Sequence, residues 1–257
     1  NKVIAEGNSN NPIVFQGKNK DYWGTLALFG KKTKGSKLEG VIIKNATGDI
    51  INNINFFSAL SIHLAENIKI NNLIIESNNV YDDMLHIIYS KDIIVKNSKF
   101  YNSYADAIDV DISDNVKLHN INIFNAKNDG IDFMESNAEI HNAIIIGSGD
   151  KAISVGENSN LKITNSKLSK NKYGLVAKDN SIVDLKKTHL MDNEIQLAVY
   201  KKNWRYGKSG QISASEIIFN EKKSNLINKD NEGKIIFFDN LQNKNLKIIE
   251  VDELEFN

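Results

Sequence analysis

The chain has 257 residues, of which 41% are hydrophobic and 25% charged; 32 basic residues balance 32 acidic ones, and there is no cysteine. This composition excludes a disordered chain, and the zero net charge excludes a global field that would draw the protein to nucleic acid or an anionic membrane. Without cysteine there is no disulfide framework, thiolate metal site or Cys nucleophile, and without a run of about eighteen apolar residues no membrane insertion is expected.

The opening segment gives Asn11-Pro12-Ile13-Val14-Phe15 and then Asp21-Tyr22-Trp23-Gly24-Thr25-Leu26, which reads as strand, loop and strand, like the middle of a coil. The stretch from Ser36 to Ile68 fits the later spacing poorly. Its best alignment takes Asp49-Ile50-Ile51-Asn52-Asn53 as a coil start, followed by a shortened turn.

From Ile68 onward a repeat takes over. Ile68-Lys69-Ile70-Asn71-Asn72, Ile93-Ile94-Val95-Lys96-Asn97, Val116-Lys117-Leu118-His119-Asn120, Ala138-Glu139-Ile140-His141-Asn142 and Leu161-Lys162-Ile163-Thr164-Asn165 start 25, 23, 22 and 23 residues apart. The apolar-variable-apolar frame has period two, so its first and third residues face inward as in a strand. A second short strand follows the Asn, and a third appears late in each coil as Ala107-Ile108-Asp109-Val110, Gly130-Ile131-Asp132-Phe133, Ala152-Ile153-Ser154-Val155 and Gly174-Leu175-Val176-Ala177. No segment sustains a helical period near 3.6. The expected fold is all-β: a single-stranded right-handed parallel β-helix of about 22–25 residues and three short strands per coil, forming one domain over residues 1–257 within a longer chain. Asn72, Asn97, Asn120, Asn142 and Asn165, with Asn53 as an earlier member, would form a ladder of stacked amides at a turn.

After Ile182 the next start is Ile212, and the excess lies in an inserted loop, residues 200–211, with Tyr200, Trp204, Arg205 and Tyr206. Loops on rigid scaffolds are where binding groups concentrate. Ile235-Ile236-Phe237-Phe238 and Leu246 to Val251 again read as strand, and the charged tail from Glu250 to Glu255 is a candidate polar cover for the end of the solenoid.

Aligning the third strands produces three columns: Ser58, Asp83, Asp106, Asp129, Lys151 and Tyr173; Ser61, His86, Asp109, Asp132 and Ser154; and His63, Ile88, Asp111, Met134, Gly156, Lys178 and Tyr200. Five carboxylates, Asp106, Asp109, Asp111, Asp129 and Asp132, then meet on two adjacent coils. Charges stacked about 5 Å apart repel by roughly 1 kcal/mol or more per pair. Three remedies are open: a bound Ca²⁺, a retained proton, or the Lys151 ammonium. The plainer reading takes these as solvated, turn-favouring Asp residues, with Asp129-Gly130 marking a turn. The functional reading assigns catalysis to Asp106, Asp109, Asp129, Asp132 and Lys151, and substrate contact to His86, Asp111, Lys178, Tyr200, Trp204, Arg205 and Tyr206. The metal ligands, if Ca²⁺ is bound, would be Asp106, Asp109, Asp129 and Asp132. His63 is a further candidate base or anion contact. His119 and His141 read as exposed strand residues, because no tight His spacing supports a transition-metal site.

The segments Asn11 to Phe15 followed by Trp23-Gly24, Ala105-Asp106-Ala107-Ile108-Asp109, Asn128-Asp129-Gly130-Ile131-Asp132 and Gly149-Asp150-Lys151-Ala152-Ile153-Ser154-Val155-Gly156 resemble the right-handed parallel β-helix repeat proteins of the pectin-lyase-like superfamily. The resemblance covers nearly the whole chain. It implies the fold and a polysaccharide partner, with lyases, hydrolases, C5-epimerases, phage depolymerases and non-catalytic surface proteins as precedents. The polygalacturonase-type signature and the Asp-Pro-His-Asp motif of alginate epimerases are missing, and Asp82-Asp83 alone is too weak to carry over, so no catalytic role transfers residue by residue. The expectation is therefore a secreted or cell-envelope domain that binds and processes a polysaccharide at the Asp face, although no signal peptide is visible at Asn1. The competing expectation is a non-catalytic adhesive or structural module of a larger surface protein.

Overall fold

A computed structural model describes residues 1–76, 82–220, 225–238 and 246–250. The chain winds as a parallel β-helix with two long sheets. One has ten strands, ordered from Leu246–Glu250 at one edge through Asn225–Lys229, Ile195–Tyr200, Tyr173–Lys178, Lys151–Gly156, Ile131–Met134, Ile108–Asp111, Asp83–Ile88 and Ser58–His63 to Leu26–Phe29. The other has sixteen strands and contains the coil starts. Ile68 pairs with Ile93, Ile93 with Val116, Val116 with Ala138 and Ala138 with Leu161, as the repeat requires.

The first two strand segments of a coil often run on as one, as in Lys91–Tyr101, Asp114–Phe124 and Asn137–Ile146. They bend at the Asn, because Asn72, Asn97, Asn120, Asn142 and Asn165 all take left-handed backbone angles with φ between 51° and 57°. Asn tolerates that region better than other residues with a Cβ. The amides of Asn120 and Asn142 donate to the side-chain oxygen one coil back at 2.7 and 2.8 Å, whereas Asn97 donates to Asn71 rather than to Asn72.

Inward-facing Ile, Leu and Val fill a single core that runs along the axis. Stacking is what buries them, since one coil cannot cover its own apolar face. A column of buried serines also marks the turn after the third strand: Ser113 Oγ accepts the Ser90 N–H, Ser136 Oγ that of Ser113, and Ser159 Oγ that of Ser136, each near 3.0 Å.

Two register expectations fail. Asp49–Ile51 is no coil start; it pairs antiparallel with Ile54–Phe56 as a hairpin turned by Asn52 and Asn53, both at positive φ. Asn53 therefore lies outside the ladder, and Leu38 supplies the inward residue of that coil by pairing with Ile70. The start after Leu161 is Val183 rather than Ile182: Leu161 pairs with Val183 and Val183 with Ile212, while Ile182 is exposed. Residues 251–255 of the expected polar cover lie outside the described residues. Among the described residues no helix is long and apolar enough to cross a membrane.

Candidate functional site

The outward face of the ten-stranded sheet carries the candidate residues. Leu85, Ile108, Ile131 and Ile153 point into the core, so the alternate residues His86, Asp109, Asp132 and Ser154 form an outward row, paired coil to coil in that order. Two residues further along each strand, His63, Ile88, Asp111, Met134 and Gly156 form a second row. At the corner preceding the strands stand Ser58, Asp83, Asp106, Asp129 and Lys151. All three columns stack as their spacing predicts.

The corner carboxylates are tied into the backbone of the following coil. Asp106 Oδ1 accepts the Asp129 N–H and the Asn128 amide, both at 2.7 Å, and Asp129 Oδ1 accepts the Lys151 N–H at 2.8 Å. They are almost fully buried, whereas Asp109 and Asp111 keep 19% and 17% of their side chains accessible. The His86 Nε2 lies 3.6 Å from Asp109 and 3.3 Å from Asp111.

Burial sets the protonation here. It pushes the Asp106 carboxyl up to about 7, with the Asp129 charge adding to the effect. Burial likewise raises Asp129 to about 6, against the pull of the Lys151 ammonium. Asp109 and Asp83 are driven well above the usual carboxylate range, first by burial and then by neighbouring Asp charges. For Lys151 the cost of burial is outweighed by Asp129 and a hydrogen bond to Asp150, so its ammonium is held above the usual value. Its Nζ contacts Asp150 and lies 3.6 Å from Asp129 Oδ2. His63 is pushed down to about 4 by burial and by His86; its Nε2 is buried without a partner, and its ring stacks on Phe56.

The carboxylates sort into two trios whose chosen ligand atoms lie within 4.8 Å of one another: Asp83, His86 and Asp109, and Asp106, Asp129 and Asp132. Of the expected metal set, Asp106, Asp129 and Asp132 come together, while Asp109 groups with Asp83 and His86. The second trio offers hard oxygen ligands close enough to share one Ca²⁺, which takes ligands at about 2.3–2.6 Å. The Lys151 ammonium, 3.6 Å from Asp129 Oδ2, would compete with it.

The remaining expected contacts divide. Asp111 and His86 each keep 17% of their side chains accessible on the outward face. Lys178 is buried, its stem lying across Gly156, and Tyr200 is buried against Val176 and Ala198, which removes its ring from a stacking role. Trp204 and Arg205 are exposed, and the Tyr206 hydroxyl donates to Glu135. Asp83 completes the first trio although its coil has the frame Asp83-Met84-Leu85-His86 in place of Asp-x-Ile-Asp; its column position is the signal that finds it. Glu135, Asp179 and Asp230, which hold the inserted loop, leave no pattern in the sequence.

Residues 39–195 match the family model described as a right handed beta helix region. The chain belongs to this family. As a β-helix protein it is similar in structure to a pectate lyase from Paenibacillus sp. 0602 (9% identity, TM-score 0.60, 90% of this chain and 70% of that one). It is also similar to PfbA, a surface adhesin of Streptococcus pneumoniae (14%, 0.61, 91% and 74%), and to the periplasmic alginate epimerase AlgG (11%, 0.61, 98% and 68%). At such identities the likeness establishes the pectin-lyase-like fold. No curated protein sequence matches the chain.

Proposed function

We propose that this β-helix acts on a polysaccharide, outside the cell or in its envelope, and that the two trios on the ten-stranded face supply acid–base chemistry at a glycosidic bond. The observation that carries the reading is the clustering, on adjacent coils, of buried carboxyls whose protonated form burial favours (Asp83 and Asp106) with the more accessible Asp109, Asp132 and His86, in trios whose ligand atoms lie within 4.8 Å of one another. A protonated carboxyl can donate its proton to the departing glycosidic oxygen while an ionised neighbour this close attacks the anomeric carbon, and water, deprotonated by the first carboxylate, then displaces the sugar from the enzyme; tuning by burial is how such pairs are set. Hydrolysis suits this arrangement better than a lysine-based elimination, because Lys151 is held as an ammonium ion. Two of the structural neighbours bear the names of polysaccharide-acting enzymes, which agrees in kind.

The test is incubation with a panel of acidic and neutral polysaccharides, with and without Ca²⁺, with products read by chromatography and mass spectrometry. Shortened saturated chains are expected, and the Asp109→Asn/Asp132→Asn double variant should lower their rate of formation at least 100-fold, the scale of a lost general acid or base. An unsaturated product end would redirect the assignment to a lyase. Unchanged chains across the panel, with epimerisation excluded by NMR, would favour the adhesive reading that PfbA illustrates.

A further inference from the structure

The inserted loop is far better anchored than its length suggests. At its start, Asp179 Oδ1 accepts the N–H groups of Lys202 and Asn203 at 2.7 and 2.6 Å; near both ends, Asp230 Oδ2 accepts the Lys201 N–H at 2.9 Å and the Ser209 hydroxyl. Asp179 and Asp230 are both buried. Asn203 then caps the single 3-10 turn Trp204–Tyr206 by accepting the Arg205 N–H, and Gly207, at φ 75°, turns the chain back. Gly210 lies against the Ala177 carbonyl, where a Cβ would stand 2.2 Å from the oxygen.

From this base the loop reaches backwards along the solenoid. The Tyr206 hydroxyl donates to Glu135 at 2.9 Å, across 71 residues of sequence. Glu135 directly follows Met134, the last residue of the strand that carries Asp132. The loop therefore spans the strand ends from the Tyr200 coil to the Asp132 coil, three steps of about 4.8 Å each, and borders the outward face on that side.

On this anchored loop Trp204 is 81% exposed, the most exposed large hydrophobic side chain among the described residues, with the Arg205 guanidinium 5.9 Å over one face of its ring. Residues 200–211 also include Lys201, Lys202, Arg205 and Lys208 and no acidic residue. The exposed tip of the loop is thus aromatic and cationic at Trp204 and Arg205, while the loop is held by the carboxylates of Asp179, Asp230 and Glu135 and Lys201 pairs with Glu232; the outward sheet face it reaches carries the carboxyls of Asp109, Asp111 and Asp132.

We propose that Trp204 is a stacking platform for a pyranose ring that carries an anionic group, and that the protein selects a heteroglycan in which anionic sugars are spaced by neutral ones. Aromatic faces take the apolar face of a sugar ring, and Arg pairs with a carboxylate or sulfate in a planar fork. Beyond the loop the outward face presents the carboxyls of Asp109, Asp111 and Asp132, which give a second anionic group nothing to pair with, so a uniformly anionic chain, nucleic acid included, is disfavoured; a wholly neutral chain leaves Arg205 unused. This inference rests on the glycan reading above and names the substrate class for it.

The test uses the two tryptophans. Trp23 is half-buried with its indole N–H donated to the Lys44 carbonyl, so a glycan-induced change in emission that vanishes in Trp204→Phe reports the platform. The probes are hexasaccharides of hyaluronan (uronate alternating with a neutral sugar), chondroitin sulfate (the same with sulfate), oligogalacturonate and cellohexaose, together with a single-stranded DNA hexamer. Tightest binding is expected for the two alternating glycans, at least ten-fold weaker in Trp204→Ala and weaker in 0.5 M salt. Whichever of the two binds more tightly distinguishes carboxylate from sulfate. Tyr206→Phe, which cuts the tether to Glu135 and leaves the platform ring in place, should weaken the same binding.

Equal binding by Trp204→Ala and wild type would overturn the platform, and the acid–base reading would still stand if Asp109→Asn/Asp132→Asn loses turnover. Preference for oligogalacturonate, cellohexaose or DNA, or binding of none of the probes, would also overturn it. Binding that depends on Trp204 without turnover of any glycan would uphold the platform and overturn the acid–base reading.

Discussion

Asp106→Asn should stabilise the protein at pH 8 and leave it unchanged at pH 4. The carboxyl titrates at about 7 in the fold against an ordinary 3.8, because it is buried and beside Asp129. Between those values the unfolded chain releases the proton while the folded chain keeps it. The penalty from this group is thus absent below pH 3.8, grows as pH rises and is complete above pH 7. At about 1.4 kcal/mol per pH unit it comes to roughly 4–5 kcal/mol as an upper bound. Asn preserves the acceptor that receives the Asp129 N–H and the Asn128 amide, so the substitution removes the charge with little loss of hydrogen bonding. A gain of about 2–4 kcal/mol corresponds to roughly 5–15 °C in Tm for a domain of this size. The wild-type profile alone is a poor witness, since His63, lowered to about 4, loses stability in the opposite direction as pH falls from 6.5. The quantity to measure is the difference in Tm between variant and wild type, by circular dichroism in chelator, at pH 4.5, 6 and 8. A gain that does not vary with pH, or a loss at pH 8, would refute the charge argument.

Four further outcomes follow from particular contacts. His63→Phe should gain on wild type as pH falls from 6.5 to 4, by up to about 3 kcal/mol at the acid end, visible as a Tm difference that widens with acidity. Asn142→Val, which forces a β-branched residue into φ 57° and removes the amide bonded to Asn120, should cost about 2 kcal/mol in chemical denaturation, and Asn142→Gly clearly less. Ser113→Ala removes the buried acceptor of the Ser90 N–H and should cost about 1–3 kcal/mol by the same assay. A Ca²⁺ ion shared by Asp106, Asp129 and Asp132 would add about 2.7 kcal/mol at a hundred times its Kd; an unchanged Tm between millimolar Ca²⁺ and chelator would assign their charge relief to protons.

The coils were legible because a parallel solenoid places residue n of one coil directly beside residue n of the next, so a constant period in the sequence becomes a column in space. The three outward columns follow from counting alone, as the strands from Asp83 to Gly156 stay in register. The same signal misleads at Asp49. A hairpin turn and a coil corner both demand positive φ, and both recruit Asn, so Asn52-Asn53 imitates the ladder while belonging to an antiparallel excursion. Column counting also cannot say how side chains lean. Asp109 joins Asp83 and His86 because of side-chain direction, and Lys151 is taken up by Asp150, its neighbour in sequence. Least legible was the loop: a hydrogen bond between Tyr206 and Glu135 crosses three coils and depends on how residues 201–210 fold over the strand ends.

The chain itself supplies a control for the claim that the carboxylates serve more than architecture. On the same three columns, the coil before the trios places Ser58 and Ser61, and the coil after them places Lys151 and Ser154, with the same pairing register throughout. The β-helix thus accepts neutral or cationic residues at these positions. An Asp column is a poor ladder by comparison: its members repel, and burial raises the carboxyls of Asp106, Asp109 and Asp129 above their ordinary range. Ser61 and Ser154 at the two ends of the outward row show that this row does not require Asp109 or Asp132 for its pairing, whereas Asp106 and Asp129 at the corner serve the scaffold by accepting backbone N–H groups of the following coil. Asp132→Ser, which copies the residue one coil on, should accordingly fold at least as stably as wild type at pH 8 while turnover falls. If instead it lost stability at pH 8, Asp132 would belong to the scaffold and the case for chemistry on this face would rest on Asp109 and His86 alone.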